Sequence, residues 1–245
     1  MGRIGRCVLR ALYESTDYPA LRITAINDVA DINTLAHLLR YDSTHGRFLG
    51  DISVDGDNLN VNGDAIRVYR KATPAELDWS AFDVDLVMEC SGSFSERQTA
   101  MQHVQAGARK VLFSQPGASD VDATVVYGIN HESLTGEEVV VSNASCTTNA
   151  IIPVIQCLNE KFGIDKGVIT TIHSAMNDQP VIDAYHPSDL RKTRSAMHSI
   201  IPVETELAKG IGRILPQLSG CFSAQAIRVP TVNVSAIDLT VTVQT

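Results

Sequence analysis

One cysteine in this sequence lies where a thiol can become a nucleophile. Cys146 is inside residues 142–149 (S-N-A-S-C-T-T-N), after a short strand pattern at 138–141 and before an apolar helical pattern at 150–158. The start of a helix presents unpaired N–H groups and the positive end of the helix dipole, and both stabilise a thiolate. The flanking Ser, Thr and Asn residues add hydrogen-bond donors. We therefore expect Cys146 to act as a covalent nucleophile.

A partner base for this thiol is His173, which ends a second apolar strand pattern at 168–172. Two strand ends can meet at one edge of a sheet, and a Cys–His ion pair there is the usual way to activate a thiol near neutral pH. The alternative is a buried structural cysteine with an unrelated histidine. The polar residues around Cys146 favour the catalytic interpretation.

The composition is that of an ordinary globular protein. The 245 residues are 44% hydrophobic and 20% charged, which suits one large domain or two modest ones. No stretch reaches the roughly 18 to 20 uninterrupted apolar residues of a membrane span, and the first residues lack the apolar region of a signal peptide. The net charge of −8 argues against a nucleic-acid partner.

The cysteines favour a reduced, cytoplasmic protein. There are five of them, an odd number without the regular spacing of a disulfide framework. No group of Cys and His residues has the spacing of metal ligands, so we expect no metal centre.

The first half of the chain alternates strand and helix patterns. Strand patterns occur at 21–26, 84–90, 110–113, 124–127 and 139–141. A helix is expected from Ser95, its N-cap, to about Ala106, with Gly107 at its end. This alternation predicts an α/β fold with a doubly wound parallel sheet. Residues 48–69, with a V-N-G-D turn at 61–64, predict a hairpin excursion.

The second half has a different pattern. Longer strand patterns at 167–172 and within 226–243 surround a polar loop at 177–198. They predict a mixed or antiparallel sheet in a separate α+β catalytic domain. The pattern changes near Cys146, so we place the domains at 1–145 and 146–245.

Several motifs carry a family resemblance. The S-N-A-S-C-T-T-N segment resembles the nucleophile segment of the glyceraldehyde-3-phosphate dehydrogenase family. Residues 2–6 (G-R-I-G-R) resemble the end of that family's dinucleotide loop, 25–28 (A-I-N-D) its second strand, and 226–234 (A-I-R-V-P-T-V-N-V) a signature of its catalytic domain. The motifs occur in the family's order along nearly the whole chain. The resemblance implies a Rossmann-type NAD-binding domain at 1–145, a catalytic domain at 146–245 and a homotetramer.

One branch of the family matches better than the others. Residues 172–176 (I-H-S-A-M) and 181–187 (V-I-D-A-Y-H-P) resemble the erythrose-4-phosphate dehydrogenases. The resemblance implies oxidation of erythrose 4-phosphate to 4-phosphoerythronate through a cysteine thioester, a step of pyridoxal phosphate (pyridoxine) biosynthesis. One alternative is phosphorylating glyceraldehyde-3-phosphate dehydrogenase. An alternative of another class is a noncatalytic binding fragment.

The two ends of the chain depart from the family pattern. A dinucleotide loop normally follows a strand and begins with one more glycine, but Met1 stands just before Gly2. The family also continues well past Thr245. We therefore expect a chain truncated at both ends, without the first strand of its first sheet and with an incomplete catalytic domain.

The cofactor expected from the resemblance is NAD. Glycines at the start of a helix let the pyrophosphate approach the backbone. A carboxylate at Asp28 can bind the adenosine ribose hydroxyls and repels the extra phosphate of NADP, and the turn after 84–90 resembles the one beneath the nicotinamide. The expected cofactor-binding residues are Gly2, Arg3, Ile4, Gly5, Asp28, Ser91 and Gly92.

The substrate residues also rest on the resemblance. Positions that match phosphate-binding or substrate-binding positions of the family, together with one residue of the basic segment 191–194, are Ser145, Thr147, Arg191, Thr205 and Arg228. Met176 stands where glyceraldehyde-3-phosphate dehydrogenases carry a phosphate-binding Thr, and a thioether cannot donate a hydrogen bond. Core packing is the other interpretation of Met176. Glu206 adds a negative charge, and the basic segment can supply replacement positive charge.

Overall fold

The computed structural model describes residues 1–244 and divides into two compact units. The first unit contains Met1–Val125 and Ser133–Ala144. The second unit contains Val126–Glu132 and the chain from Ser145 onwards. Cys146 and His173 both belong to the second unit, whereas the expected cofactor-binding residues belong to the first.

The first unit contains three helices and ten strands in its described residues. In chain order they are α1 (Arg3–Glu14), β1 (Ala25–Asn27), α2 (Ile32–Arg40), β2 (Tyr41–Asp42), β3 (Gly46–Arg47), β4 (Ile52–Asp55), β5 (Asn58–Val61), β6 (Asp64–Tyr69), β7 (Leu86–Glu89), α3 (Arg97–Gln105), β8 (Lys110–Phe113), β9 (Ala123–Thr124) and β10 (Val140–Ser142).

These strands form two four-stranded sheets and one short hairpin, β2–β3. The sheet ordered β7-β8-β10-β9 is entirely parallel. In the sheet ordered β1-β6-β5-β4, β1 and β6 are parallel and the other pairs are antiparallel. Strands β1 and β7 each form an edge of their sheet. The predicted α/β class with a parallel sheet is confirmed.

The predicted hairpin excursion is confirmed as the antiparallel strands β4, β5 and β6. At the tip between β5 and β6, Asn62 and Gly63 have φ angles of 51° and 96°. Two consecutive positive φ angles suit a two-residue hairpin, because that turn matches the twist of the flanking strands. The turn predicted from the Asn62–Gly63 pair is therefore confirmed.

Some predicted element ends were wrong. Helix α3 begins at Arg97 after Glu96, and the Ser95 hydroxyl donates to the Glu96 carboxylate instead of capping the helix. The strand predicted at 124–127 ends at Thr124, because its partner β10 ends at Ser142 before the chain turns. The strand predicted at 21–26 is limited to Ala25–Asn27, where it pairs with β6.

The first unit has two apolar clusters. One, formed with α1 and α2, includes the buried residues Leu9, Leu35, Leu39, Leu59 and Ile66. The other lies around β7, β8, β10 and α3 and includes Trp79, Ala100, Val111, Phe113 and Val140. Leu9 of α1 belongs to the first cluster and Val87 of β7 belongs to the second, so both clusters pack against elements that carry or precede expected cofactor residues.

The second unit is built around one mixed sheet. Its elements are α4 (Cys146–Phe162), β11 (Ile164–Ser174), β12 (Ile201–Val203), α5 (Leu207–Ile214), β13 (Phe222–Val229) and β14 (Ala236–Val243). The strand order is β12-β13-β11-β14, in which β11 and β13 are parallel and the outer strands are antiparallel to their neighbours. The predicted mixed sheet is confirmed. Its central strand carries His173 near its carboxyl end.

Candidate active site

Cys146 is the first residue of α4, and Ser145 caps that helix. The Ser145 hydroxyl accepts a hydrogen bond from the Thr148 backbone N–H at 3.0 Å. It also lies 3.0 Å from the Thr147 hydroxyl and 2.7 Å from the Thr148 hydroxyl. This cap fixes the first turn and leaves Cys146 exposed beside the positive end of the helix.

The sulfur of Cys146 lies 3.7 Å from Nε2 of His173. His173 Nδ1 lies 2.7 Å from the Ser174 carbonyl oxygen, which can only accept, so Nδ1 carries a proton. Nε2 is therefore the nitrogen that exchanges a proton with the thiol. This is the geometry of an activated cysteine.

The electrostatics of this pair favour the thiolate–imidazolium form. The hydrogen bond with His173 lowers the pKa of the Cys146 thiol, against the opposing effect of burial. The same hydrogen bond raises the pKa of His173, while burial and the nearby charge of Arg228 oppose the increase. Each partner therefore stabilises the charged form of the other.

Arg228 lies next to His173 in the sheet, because the two residues are paired in the register of β11 and β13. Arg228 is buried, and its Nη1 donates to Asp178 Oδ1 at 2.8 Å. Lys192 Nζ donates to the other oxygen of Asp178 at 2.8 Å. Burial opposes ionisation of Asp178, but Arg228 and Lys192 together lower its pKa to about 2. Asp178 therefore stays ionised and holds the Arg228 guanidinium in one orientation.

An open pocket contains Cys146 and His173. The residues that line it are Cys146, Thr147, Thr171, His173, Val203, Glu204, Thr205, Ala226 and Arg228. Of the expected catalytic and substrate residues, the structure thus brings five together. They are Cys146, Thr147, His173, Thr205 and Arg228.

Two expected substrate residues lie outside this lining set. Ser145 is directed into the helix cap described above. Arg191 belongs to a short 3-10 turn, where Asp189 binds its Nε at 3.0 Å and Glu204 lies 3.6 Å from its Nη2. Glu204 lines the pocket, so this ion pair connects Arg191 to the pocket wall. Its guanidinium already has carboxylate partners.

The other charges of the basic segment are also paired. Lys192 binds Asp178 and Arg194 binds Asp183, so the segment is neutralised locally. Glu206 forms an exposed ion pair with Lys209 at 2.8 Å. Met176 is 47% exposed in the turn after β11, so the interpretation that it packs in the core was wrong.

Several residues that line the pocket, or that contact a lining residue as Asp178 contacts Arg228, were missed in the sequence. Asp178 lies in the same polar loop as the basic segment, and acidic residues near that segment were the available signal. Thr171 lies two positions before His173 on β11, and alternate residues of a strand share a face. Glu204 precedes Thr205 and gave no signal of its own.

The expected cofactor-binding residues meet around the start of α1. Gly2 is the N-cap of α1, and a side chain there would come within 3.0 Å of the Cys90 carbonyl oxygen. A side chain at Gly5 would come within 2.7 Å of Met1 Cγ and 3.3 Å of Cys90 Cβ. The glycines therefore allow the helix start to lie against the end of β7. Its first N–H groups are available to an anion, as in dinucleotide-binding loops.

The remaining cofactor candidates lie near this helix start. Asp28 follows β1, and its Oδ2 lies 3.2 Å from the amino group of Met1. Ser91 and Gly92 follow β7 and are exposed, and Gly92 has a φ of 73°. Arg3 forms an ion pair with Asp42 at 3.2 Å, and Ile4 is 50% exposed. Backbone N–H donors at a helix start, a carboxylate acceptor and an exposed glycine turn fit an NAD site.

In the described residues, no group of three or more His, Cys, Asp or Glu side chains is placed to hold a metal ion. None of the helices described here has the length and apolarity needed to cross a membrane.

Comparison with protein families gives two matches. Residues 1–97 match the glyceraldehyde 3-phosphate dehydrogenase NAD binding domain. Residues 145–245 match the glyceraldehyde 3-phosphate dehydrogenase C-terminal domain. The first match covers the expected cofactor residues and identifies NAD as the cofactor. The second covers the Cys–His pair and its pocket.

Proposed function

Because the chain belongs to the glyceraldehyde-3-phosphate dehydrogenase family, we propose that it oxidises a phosphosugar aldehyde through a thioester on Cys146. The favoured reaction converts erythrose 4-phosphate to 4-phosphoerythronate for pyridoxal phosphate biosynthesis. The observation that supports it best is the distance of 3.7 Å between Cys146 Sγ and His173 Nε2 in the pocket. By family resemblance we also propose a cytoplasmic homotetramer.

The chemistry begins with the Cys146 thiolate, which attacks the aldehyde carbon. The carbonyl π electrons move to oxygen, which takes a proton from the His173 imidazolium, and a thiohemiacetal results. An aldehyde needs this covalent step because it has no hydroxyl whose proton loss can drive hydride out. His173, now neutral, takes the hydroxyl proton back as the carbon loses hydride and becomes a thioester. NAD supplies the hydride acceptor.

The developing oxyanion has two kinds of donor in the second unit. His173 Nε2–H is one, and the N–H groups of the first turn of α4 are the other. Water then attacks the thioester carbon and expels the Cys146 thiolate, which yields the carboxylic acid. His173 first releases to solvent the proton that it gained in the hydride step, and its neutral imidazole then takes the proton of the attacking water.

Arg228 and the hydroxyls of Thr147 and Thr205 can bind the substrate phosphate. They line the same pocket as the thiol, and the Asp178 carboxylate orients Arg228. Glu204 places a negative charge on the pocket wall.

We propose that the first unit holds NAD through the residues at the start of α1. The N–H groups of residues 2–5 would bind the pyrophosphate, Asp28 would accept hydrogen bonds from the adenosine ribose, and Ser91 and Gly92 would form the turn next to the nicotinamide.

The two alternatives differ in what supports them. Thr147 and Thr205 are equally consistent with phosphorylating glyceraldehyde-3-phosphate dehydrogenase, whereas exposed Met176 favours the erythrose 4-phosphate enzyme. A noncatalytic role would leave the Cys146–His173 pair without a function.

The experiment that tests the proposed function measures NADH formation from erythrose 4-phosphate and from glyceraldehyde 3-phosphate, each with and without inorganic phosphate. Phosphate-dependent turnover that prefers the three-carbon aldehyde would assign the rival activity.

A further inference from the structure

A buried charged cluster lies behind the turn Ser91–Gly92 in the first unit, and the mechanism above does not use it. Glu89 ends β7 and is 7% exposed, and His103 of α3 is 4% exposed. Trp79, the only tryptophan of the chain, is also buried and lies beside His103. Burying a carboxylate is costly, and this one lies two residues before the turn that is expected to bind the cofactor, so we ask what it does there.

The hydrogen bonds of this cluster converge on the Glu89 carboxylate. Trp79 Nε1 donates to His103 Nδ1 at 3.1 Å, and an indole nitrogen can only donate, so Nδ1 is unprotonated. The ring proton is therefore on Nε2, which donates to Glu89 Oε2 at 3.2 Å. The other carboxylate oxygen, Oε1, accepts the Ser91 backbone N–H at 2.6 Å. Trp79 thus sets the tautomer that lets Glu89 accept from both sides.

The carboxylate form of Glu89 is stable despite its surroundings. Burial opposes its ionisation, but the hydrogen bonds from His103 and from Ser91 outweigh burial and lower the pKa of Glu89. An ionised acceptor forms stronger hydrogen bonds than a neutral one. The Ser91 N–H is therefore held firmly.

We propose that Glu89 and His103 are positioning residues for NAD, which act by fixing the Ser91–Gly92 turn in its binding conformation. The turn itself is exposed and contains a glycine with positive φ, so without an anchor it has many accessible conformations. Fixing it beforehand removes part of the ordering cost of binding. The inference rests on the proposed placement of the cofactor at this turn.

The first test is Glu89→Gln. An amide has one acceptor oxygen and one donor nitrogen, so it cannot accept from both His103 Nε2–H and Ser91 N–H. We expect the dissociation constant for NAD to rise about tenfold. It is measured by titration calorimetry on the whole chain.

A second change distinguishes this hydrogen-bond chain from general packing. Trp79→Phe removes the donor to His103 Nδ1, so His103 can take the other tautomer and accept from the new amide with Nε2. The double variant Glu89→Gln/Trp79→Phe should therefore bind NAD more tightly than Glu89→Gln alone. If the two changes were independent packing defects, their effects would add, and the double variant would bind NAD more weakly than Glu89→Gln alone.

A matched pair at His103 keeps the test decisive if Glu89→Gln does not fold. Glutamine at 103 retains an acceptor towards Trp79 and a donor towards Glu89, whereas leucine, of similar size, retains neither. His103→Gln should bind NAD nearly as well as the parent, and His103→Leu about tenfold more weakly. Equal affinities in the two variants would overturn the proposal.

Two controls complete the experiment. Val111→Ala, in the apolar cluster that also contains Trp79, should lower the melting temperature and leave NAD affinity unchanged. A Glu89→Gln variant with the same behaviour would overturn the proposal. Asp28→Asn should weaken NAD binding, and an unchanged affinity would overturn both the cofactor placement and this inference. Cys146 reactivity, which depends on the second unit, tests the proposed chemistry separately.

Discussion

His173 and Arg228 occupy paired positions on the neighbouring parallel strands β11 and β13. One sheet register thus places the proposed base beside a buried guanidinium. The positive charge of Arg228 opposes protonation of His173, and the hydrogen bond with Cys146 favours it. Arg228 in turn donates a hydrogen bond to the Asp178 carboxylate, which carries the opposite charge.

Asp178→Asn tests this arrangement. Without the carboxylate, Arg228 and Lys192 lose their shared acceptor, and the guanidinium loses its fixed orientation. We expect KM for the phosphorylated aldehyde to rise about tenfold, with a smaller change in kcat. The control is Asp183→Asn, which breaks the exposed pair with Arg194 in the same loop and should leave steady-state kinetics unchanged. An unchanged KM in Asp178→Asn would contradict the orienting role.

Ser145→Ala tests the contribution of the helix start to the thiol. Loss of the N-cap should destabilise the protein by about 1 kcal/mol. It should also slow alkylation of Cys146 by up to about fivefold, because the first turn of α4 loses its fixed dipole end. Asp31→Ala removes the side-chain cap of α2 and is the matched control. It should show a similar loss in denaturant unfolding with no change in alkylation rate, and equal alkylation effects in both variants would exclude a local role for Ser145.

The substrate prediction rests on Met176. Because the thioether cannot donate a hydrogen bond to phosphate, we expect a preference for erythrose 4-phosphate without a requirement for inorganic phosphate. Met176→Thr should narrow the difference in kcat/KM between the two aldehydes. Arg228→Ala should weaken the use of both. If Met176→Thr leaves the difference in kcat/KM between the two aldehydes unchanged or widens it, Met176 does not determine the substrate preference.

The pH dependence follows from the shifted groups. The pKa of Cys146 is lowered, so the thiolate forms at a pH below the usual value of about 8.5, and kcat/KM should rise on the acid side of that value. His173→Asn removes the largest cause of the lowering and leaves the opposing effect of burial. The acid limb of the pH–rate profile should then move to higher pH. If the acid limb does not move, a group other than the Cys146 thiol determines its pH.

The sequence predicted some features better than others, for physical reasons. Strand ends and helix starts are local patterns, so the positions of Cys146 and His173 and the turn at 61–64 could be predicted. The Asp178–Arg228 contact joins residues that are far apart in the chain, and only the pairing of β11 with β13 brings them close. The predicted cap at Ser95 was wrong because the Ser95 hydroxyl donates a hydrogen bond to the neighbouring Glu96 carboxylate. The pairing of Arg191 with Asp189 and Glu204 likewise depends on the conformation of its loop.

The central claim is that His173 activates Cys146, and thiol alkylation tests it most directly. Cys157 is the matched reference, because it is exposed in the same helix as Cys146. We predict that iodoacetamide at neutral pH labels Cys146 of the folded protein at least about tenfold faster than Cys157, by peptide mass spectrometry. In His173→Asn the rate at Cys146 should fall several-fold towards that at Cys157, because only the effect of the helix start remains. Equal rates in the parent protein, or a Cys146 rate that His173→Asn leaves unchanged, would contradict the account.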